Sequence, residues 1–256
     1  MLRFSMVAET TLITIGLAAF GVAVASAIDA WRRQPQMNNV ILLSVGLAGC
    51  AYVFETLVIS PHLGRPASAF LRMTRMLTIY VLLPWLLLGR QSIKEDQFTL
   101  GVGPVTTSRV SAWAAGIGLY TIALAAFIMF PPKAPGFVFW TSEAGTLDWM
   151  VTLPCICVMA AVTDVWTRGF VLLNLAPRIG TTQAIIVQNI LWIVLHLYEL
   201  ELLATSMTWI GALLLAITLG ILGDAIALHW GSVRPLMAGH IWLNVGWVAA
   251  LFFLLT

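Results

Sequence analysis

The stretch Ala161-Val-Thr-Asp-Val-Trp-Thr-Arg-Gly-Phe170 lies inside an apolar run that begins near Trp149 and ends near Leu173. About 20 such residues suffice to cross a bilayer as a helix. Asp164 and Arg168 stand four positions apart within the run. On insertion scales either charge alone costs roughly 2.5–3.5 kcal/mol at the centre of a membrane helix. Spacing of four puts both on one helix face, where each can neutralise the other. The stretch therefore reads as a membrane helix whose charged face turns into a bundle and away from lipid.

Composition agrees. Of 256 residues, 60% are hydrophobic and 9% charged, where a soluble domain carries about 25% charged residues. This is the composition of a polytopic, all-helical membrane protein. A net charge of +2 gives no basic surface for nucleic acid. Cys50, Cys155 and Cys157 all fall in apolar runs. The Cys-Ile-Cys spacing is wrong for a redox or zinc pair, so all three read as small packing residues.

Eight candidate spans follow, at about 9–30, 39–60, 69–89, 109–130, 148–173, 182–204, 207–228 and 235–255. Turn chemistry separates them: Arg32-Arg33-Gln-Pro35, Ser60-Pro61, Gly89-Arg90, Pro131-Pro132, Pro177 to Gly180 and Gly231 to Pro235. In the first, Arg3, the run Leu12 to Ala27 and a closing Val-Ala-Ser-Ala imitate a cleavable signal peptide. We read it as a membrane helix. The connection 131–146, rich in Pro, Gly and aromatics, is expected at the interface. No soluble domain or repeat interrupts the chain, so a single integral membrane domain over 1–256 is expected. Arg32, Arg33, Arg90, Lys94, Arg109, Arg178 and Arg234 gather on one side, against Arg3, Arg65, Arg72, Arg75 and Lys133 on the other. The larger group places its side in the cytoplasm and both termini outside it.

The intramembrane polar residues are then Glu55, Arg72, Arg75, Asp164, Arg168, His196, Asp224, His240 and Asn244. Glu55, Arg72, Arg75 and Asp224 stand near span ends, where long side chains reach the interface. The others form a pattern. His240 and Asn244 repeat the spacing of Asp164 and Arg168 on the last span, and His196 follows Trp192 by one turn on the sixth. At 1.5 Å rise per residue, Asp164 lies about 14 Å from Leu173 and His240 about 8 Å from Pro235. His196 lies about 22 Å from Thr181, a turn or so deeper than the others.

These residues resemble the motifs of the CAAX-processing and bacteriocin-processing intramembrane proteases, the CPBP or Abi family. That family carries Glu-Glu-x-x-x-Arg, usually followed by Gly, then Phe-x-x-x-His, then His-x-x-x-Asn, on successive membrane helices. The matching stretches are Thr163-Asp164-Val-Trp-Thr-Arg168-Gly169, Trp192-Ile-Val-Leu-His196 and His240-Ile-Trp-Leu-Asn244. Gly231, Ser232 and Pro235 precede the last motif as they commonly do in the family. The resemblance covers about 145–256, a four-helix core. The first four spans, within 1–144, share only their hydrophobicity. It implies an endopeptidase acting on a membrane-associated peptide bond, with Asp164, Arg168, His196, His240 and Asn244 as its site. Trp192 replaces Phe with another aromatic ring. Thr163 stands where the family has its first glutamate, the expected water-activating base, and a hydroxyl cannot act as a carboxylate base near neutral pH.

In the chemistry so implied, His196 and His240 position the water, directly or through a shared divalent metal such as zinc. Asn244 donates to the developing oxyanion. Asp164 acts as base, and Arg168 holds its carboxylate. Two alternatives stand beside this. The pair and the three polar side chains can equally be interhelical hydrogen bonds in a scaffold, chaperone or accessory subunit of a larger membrane complex. Membrane histidines and eleven tryptophans also suit a pigment- or haem-binding subunit. Other protease classes fit worse: there is no His-Glu-x-x-His, no Gly-x-Ser-x-Gly, and Ile221-Leu-Gly-Asp224 lacks the first Gly of Gly-x-Gly-Asp.

Overall fold

The computed structural model describes residues 37–54, 65–89, 99–105, 109–133 and 145–255. The first expected span, Arg3, Arg32, Arg33, Glu55, Arg90, Lys94, both termini and most of the 131–146 connection lie outside them. Among the described residues there are eight helices and no strand. Four are long and apolar enough to cross a membrane. Large apolar side chains on their outer faces, such as Ile210 at 72% exposure, suit lipid and would not suit water. The protein is an all-helical integral membrane protein.

The contacts fall into two compact units, Met1–Lys94 and Glu95–Thr256. The first contains α1 (Met37–Phe54) and α2 (65–89). α2 is continuous but changes winding over Leu77–Leu82, where the helix widens to i+5 bonds just ahead of Pro84. The Leu83 N–H donates to the Thr78 carbonyl there, which accommodates a proline that has no N–H of its own. Arg75, expected near a span end, lies near the middle of α2 with its guanidinium 5.6 Å from the centre of the Tyr52 ring on α1.

The second unit holds α3 (Arg109–Met129), α4 (146–179), α5 (Thr181–Leu195), α6 (Leu197–Ala204), α7 (Trp209–Trp230) and α8 (Arg234–Leu255). α4 is α-helical over Thr146–Asp164, π-helical over Val165–Leu172 and α-helical again over Leu173–Ile179. It therefore runs through Pro177 and stops at Gly180, whose φ of 92° ends it. α8 packs along α3 and the first part of α4, while α5 packs on the π-helical segment and on α7.

The expected sixth span, 182–204, is two helices broken at His196. The ring Nδ1 sits 2.7 Å from the Trp192 carbonyl, and the His196 N–H divides itself between Trp192 and Ile193. A side chain that competes for the i−4 carbonyl tightens and ends the turn. Within 182–204 neither glycine nor proline marks this break.

Segment 99–105 docks against α4 and the start of α8. Val233 N–H donates to the Gly101 carbonyl at 2.8 Å, and Ser232 Oγ to Gly103 O at 3.0 Å. Asn174 Nδ2 donates to Thr99 O and to Phe170 O, both at 2.7 Å, and its Oδ1 accepts from Thr99 N–H. Phe170 lies in the π-helical segment, so one amide side chain ties that segment to 99–105. Gly169 has to be glycine because the Leu100 carbonyl occupies the place of its side chain.

Glycines also set the approach of α3 to α8. A Cβ at Gly116 would overlap the Pro235 backbone, and one at Gly239 would overlap the Gly116 carbonyl and the Tyr120 ring. Small residues let membrane helices pack at backbone distance, which carries Tyr120 up to His240. Gly239→Leu is therefore expected to lower unfolding stability in detergent by about 1–3 kcal/mol through overpacking. Gly118, with nothing near its missing side chain, is the control: Gly118→Ala should be neutral or stabilise by up to about 1 kcal/mol.

Candidate functional site

Arg168 is the centre of the site, 1% exposed on the π-helical segment. Its Nη1 pairs with Asp164 Oδ1 one turn back on α4. Its Nε donates to Asp224 Oδ1 on α7 at 3.1 Å. Both carboxylates are 0% exposed. Arg168 Cζ lies 5.7 Å from the centre of the Trp192 ring on α5. A Cβ at Gly223 would sit 2.6 Å from Arg168 Nη2, so α7 reaches the guanidinium only because that residue is glycine.

Each acid has further partners. The Tyr120 hydroxyl lies 3.2 Å from both oxygens of Asp164. His240 Nδ1 lies 3.1 Å from Asp164 Oδ2. Asn189 Nδ2 donates to Asp224 Oδ2 at 2.7 Å. Facing an ionised carboxylate, His240 Nδ1 must carry the proton, which leaves the Nε2 lone pair free. His196 reaches the same tautomer by donating from Nδ1 to the Trp192 carbonyl.

The rings form one stack. Tyr120 lies 4.7 Å from His240, His240 5.9 Å from His196, and His196 4.1 Å from Trp192, measured between centroids. The apparent excess depth of His196 has two causes. α4 continues six residues beyond Leu173, to Ile179, so Asp164 is deeper than its distance to Leu173 gives. The start of α8 is itself buried, with Ser232, Val233 and Leu236 all at 0% exposure, so His240 does not count from the membrane surface.

Of the residues the sequence singles out, Asp164, Arg168, His196 and His240 converge. Asn244 stays one turn further along α8, where its Nδ2 donates to the His240 carbonyl at 2.9 Å. The Thr163 hydroxyl donates to Met159 O at 2.9 Å within its own helix. Asp224 is corrected: expected to reach the interface from a span end, it is fully buried on Arg168. Tyr120 and Asn189 were missed. The available signal was a pair of glycines, Gly220 and Gly223, beside an intramembrane acid, since a side chain at Gly220 would overlap Asn189 Oδ1.

Zinc sites draw on three or four His, Cys, Asp or Glu donors. No group of three is so arranged among the described residues. His196 and His240 would need a third ligand to make such a site.

Fold and site together define an integral membrane protein whose core encloses a paired acid–guanidinium–imidazole cluster. Residues 145–246, which carry every part of that cluster except Tyr120, match the family described as type II CAAX prenyl endopeptidase Rce1-like. Over that segment the chain is similar to the CAAX-processing (CPBP) protease family. No curated protein and no solved structure matches it.

Two acids around one guanidinium make Asp224 structural as well as electrostatic. Asp224→Ala leaves Arg168 Nε and one N–H of Asn189 without their acceptor in the core and is expected to lower stability by about 3–5 kcal/mol. Asp224→Asn keeps one oxygen acceptor and should lose less. Unfolding in lipid micelles measures both.

Proposed function

We propose that the protein is an intramembrane endopeptidase in which Asp164 and His240 act as an orienting acid and a general base. The observation that carries this is the contact of His240 Nδ1 with Asp164 Oδ2 at 3.1 Å. It turns the imidazole so that Nε2 is free to take a proton, the arrangement in which a buried carboxylate serves a catalytic histidine. The missing glutamate at Thr163 is then not needed as base. Arg168 and Tyr120 hold the Asp164 carboxylate in place, as a positioning pair.

The steps balance without further groups. His240 Nε2 takes a proton from water as the oxygen attacks the peptide carbonyl carbon. The carbonyl π electrons move to oxygen, and the second N–H of the Asn244 amide, beyond the one given to His240 O, donates to that oxyanion. The C–N bond then breaks, and the His240 imidazolium returns its proton to the leaving amine. His196 presents a second free Nε2 beside His240 and orders the water. The family's description points to peptides near a prenyl group, and the burial of the site calls for a substrate segment presented within the membrane.

One observation favours a second reading, a catalytically silent scaffold of the same fold. The Thr163 hydroxyl is bound to its own helix, and every oxygen of Asp164 already has a donor, as in a network that only holds helices together.

The test uses the full chain in proteoliposomes with two fluorogenic probes, a farnesylated CAAX peptide and an unprenylated membrane-spanning peptide. Wild-type cleavage of either that falls about 10³–10⁴-fold in Asp164→Asn, and is lost in His240→Ala, supports the endopeptidase. If the wild type cleaves neither and Thr163→Glu creates an activity that His196→Ala abolishes, the natural chain is the scaffold.

A further inference from the structure

Buried polar atoms without partners gather on one edge of α5. Gln188 is 0% exposed, and neither its Oε1 nor its Nε2 has a hydrogen-bond partner among the described residues. Asn189 Oδ1 and Trp192 Nε1 are likewise unpartnered. Each such atom costs about 1–3 kcal/mol if nothing satisfies it, and native structures leave few of them. Here they occur on neighbouring residues of one helix, next to the cluster on Arg168.

Their chemistry and spacing fit one ligand. Gln188 supplies two N–H groups and an acceptor, Trp192 a donor, Asn189 an acceptor, and His196 the free Nε2. Gln188, Trp192 and His196 follow at intervals of four, so each step rises about 6 Å. Two hydrogen bonds of about 2.8 Å through one water span the same distance. The fully buried face begins at Ala184, whose small side chain precedes Gln188 by one turn. A hydrolase buried in apolar helices needs water brought to it, and buried waters settle where two to four polar groups lack partners.

We propose that Gln188, Asn189 and Trp192 form a water-binding track along the inner edge of α5, leading from the Thr181 end of the helix to His196 and His240. The purpose of the track rests on the endopeptidase reading, whereas its existence does not. It also gives Trp192 a role that a phenylalanine in its place cannot fill, because only the indole has an N–H to give.

Pulsed X-ray radiolysis of the full chain in lipid nanodiscs, in ¹⁸O-labelled water, reads bound water directly by the oxidation of adjacent side chains. Trp166, 2% exposed on the π-helical segment, is the internal control. Trp192 is expected to gain label at least roughly threefold faster than Trp166, as a side chain held against ordered water should. Gln188→Leu should bring it down to the Trp166 rate. Equal rates for the two tryptophans in the wild type overturn the track, as does a Trp192 rate that Gln188→Leu leaves unchanged. Label without peptide cleavage would keep the track and remove the endopeptidase. Cleavage without label would do the reverse.

Discussion

Everything in the second unit answers to one constraint: a guanidinium that cannot lose its charge is buried in the middle of a membrane protein. Arg168 obtains two carboxylates and an aromatic face, from three different helices. Removing ions from water is costly, and that cost is recovered only when geometry is good and the remaining acceptors are filled. Tyr120 and His240 fill those of Asp164, and Asn189 fills that of Asp224. The imidazole that could do chemistry is thus also one of the groups that make the arginine tolerable. Stability and function are built from the same hydrogen bonds.

Meeting that constraint demands close backbones. Gly116 and Gly239 bring α3 to α8, Gly223 brings α7 to the guanidinium, and Gly169 admits the 99–105 segment behind it. The π winding over Val165–Leu172 belongs to the same set of adjustments. It is a buried stretch, and Asn174 donates to two of its carbonyls, those of Gly169 and Phe170. Such segments recur at functional sites because they alter where side chains point without ending the helix.

What could be read from the sequence was whatever a single helix determines. Hydrophobicity gave the membrane class, and spacing of four gave the Asp164–Arg168 pair and drew attention to His196 and His240. What could not be read depended on contact between helices. Tyr120 lies in an apolar run without a charged residue near its depth, and it matters only because two glycines far apart in sequence meet beside it. Asp224 looked like a residue at a helix end, since nothing local shows that Arg168 and Asn189 approach it. The break at His196 is set by its own side chain taking the Trp192 carbonyl, an event invisible in hydropathy. At Asn244 the same spacing of four ties one amide N–H to the carbonyl of its own helix, a local bond that spacing alone does not distinguish from a shared site.

The most direct test of this account is a charge-removal cycle on the cluster, read as unfolding free energy in lipid micelles. Arg168→Met leaves two buried carboxylates without their cation, and a large loss is expected, about 3–5 kcal/mol. Adding Asp164→Asn and Asp224→Asn to it removes those orphaned charges. The triple variant is expected to regain most of the stability that Arg168→Met alone loses. A triple variant less stable than Arg168→Met, with the three losses simply adding, would contradict the claim that this site is held together by one shared buried charge.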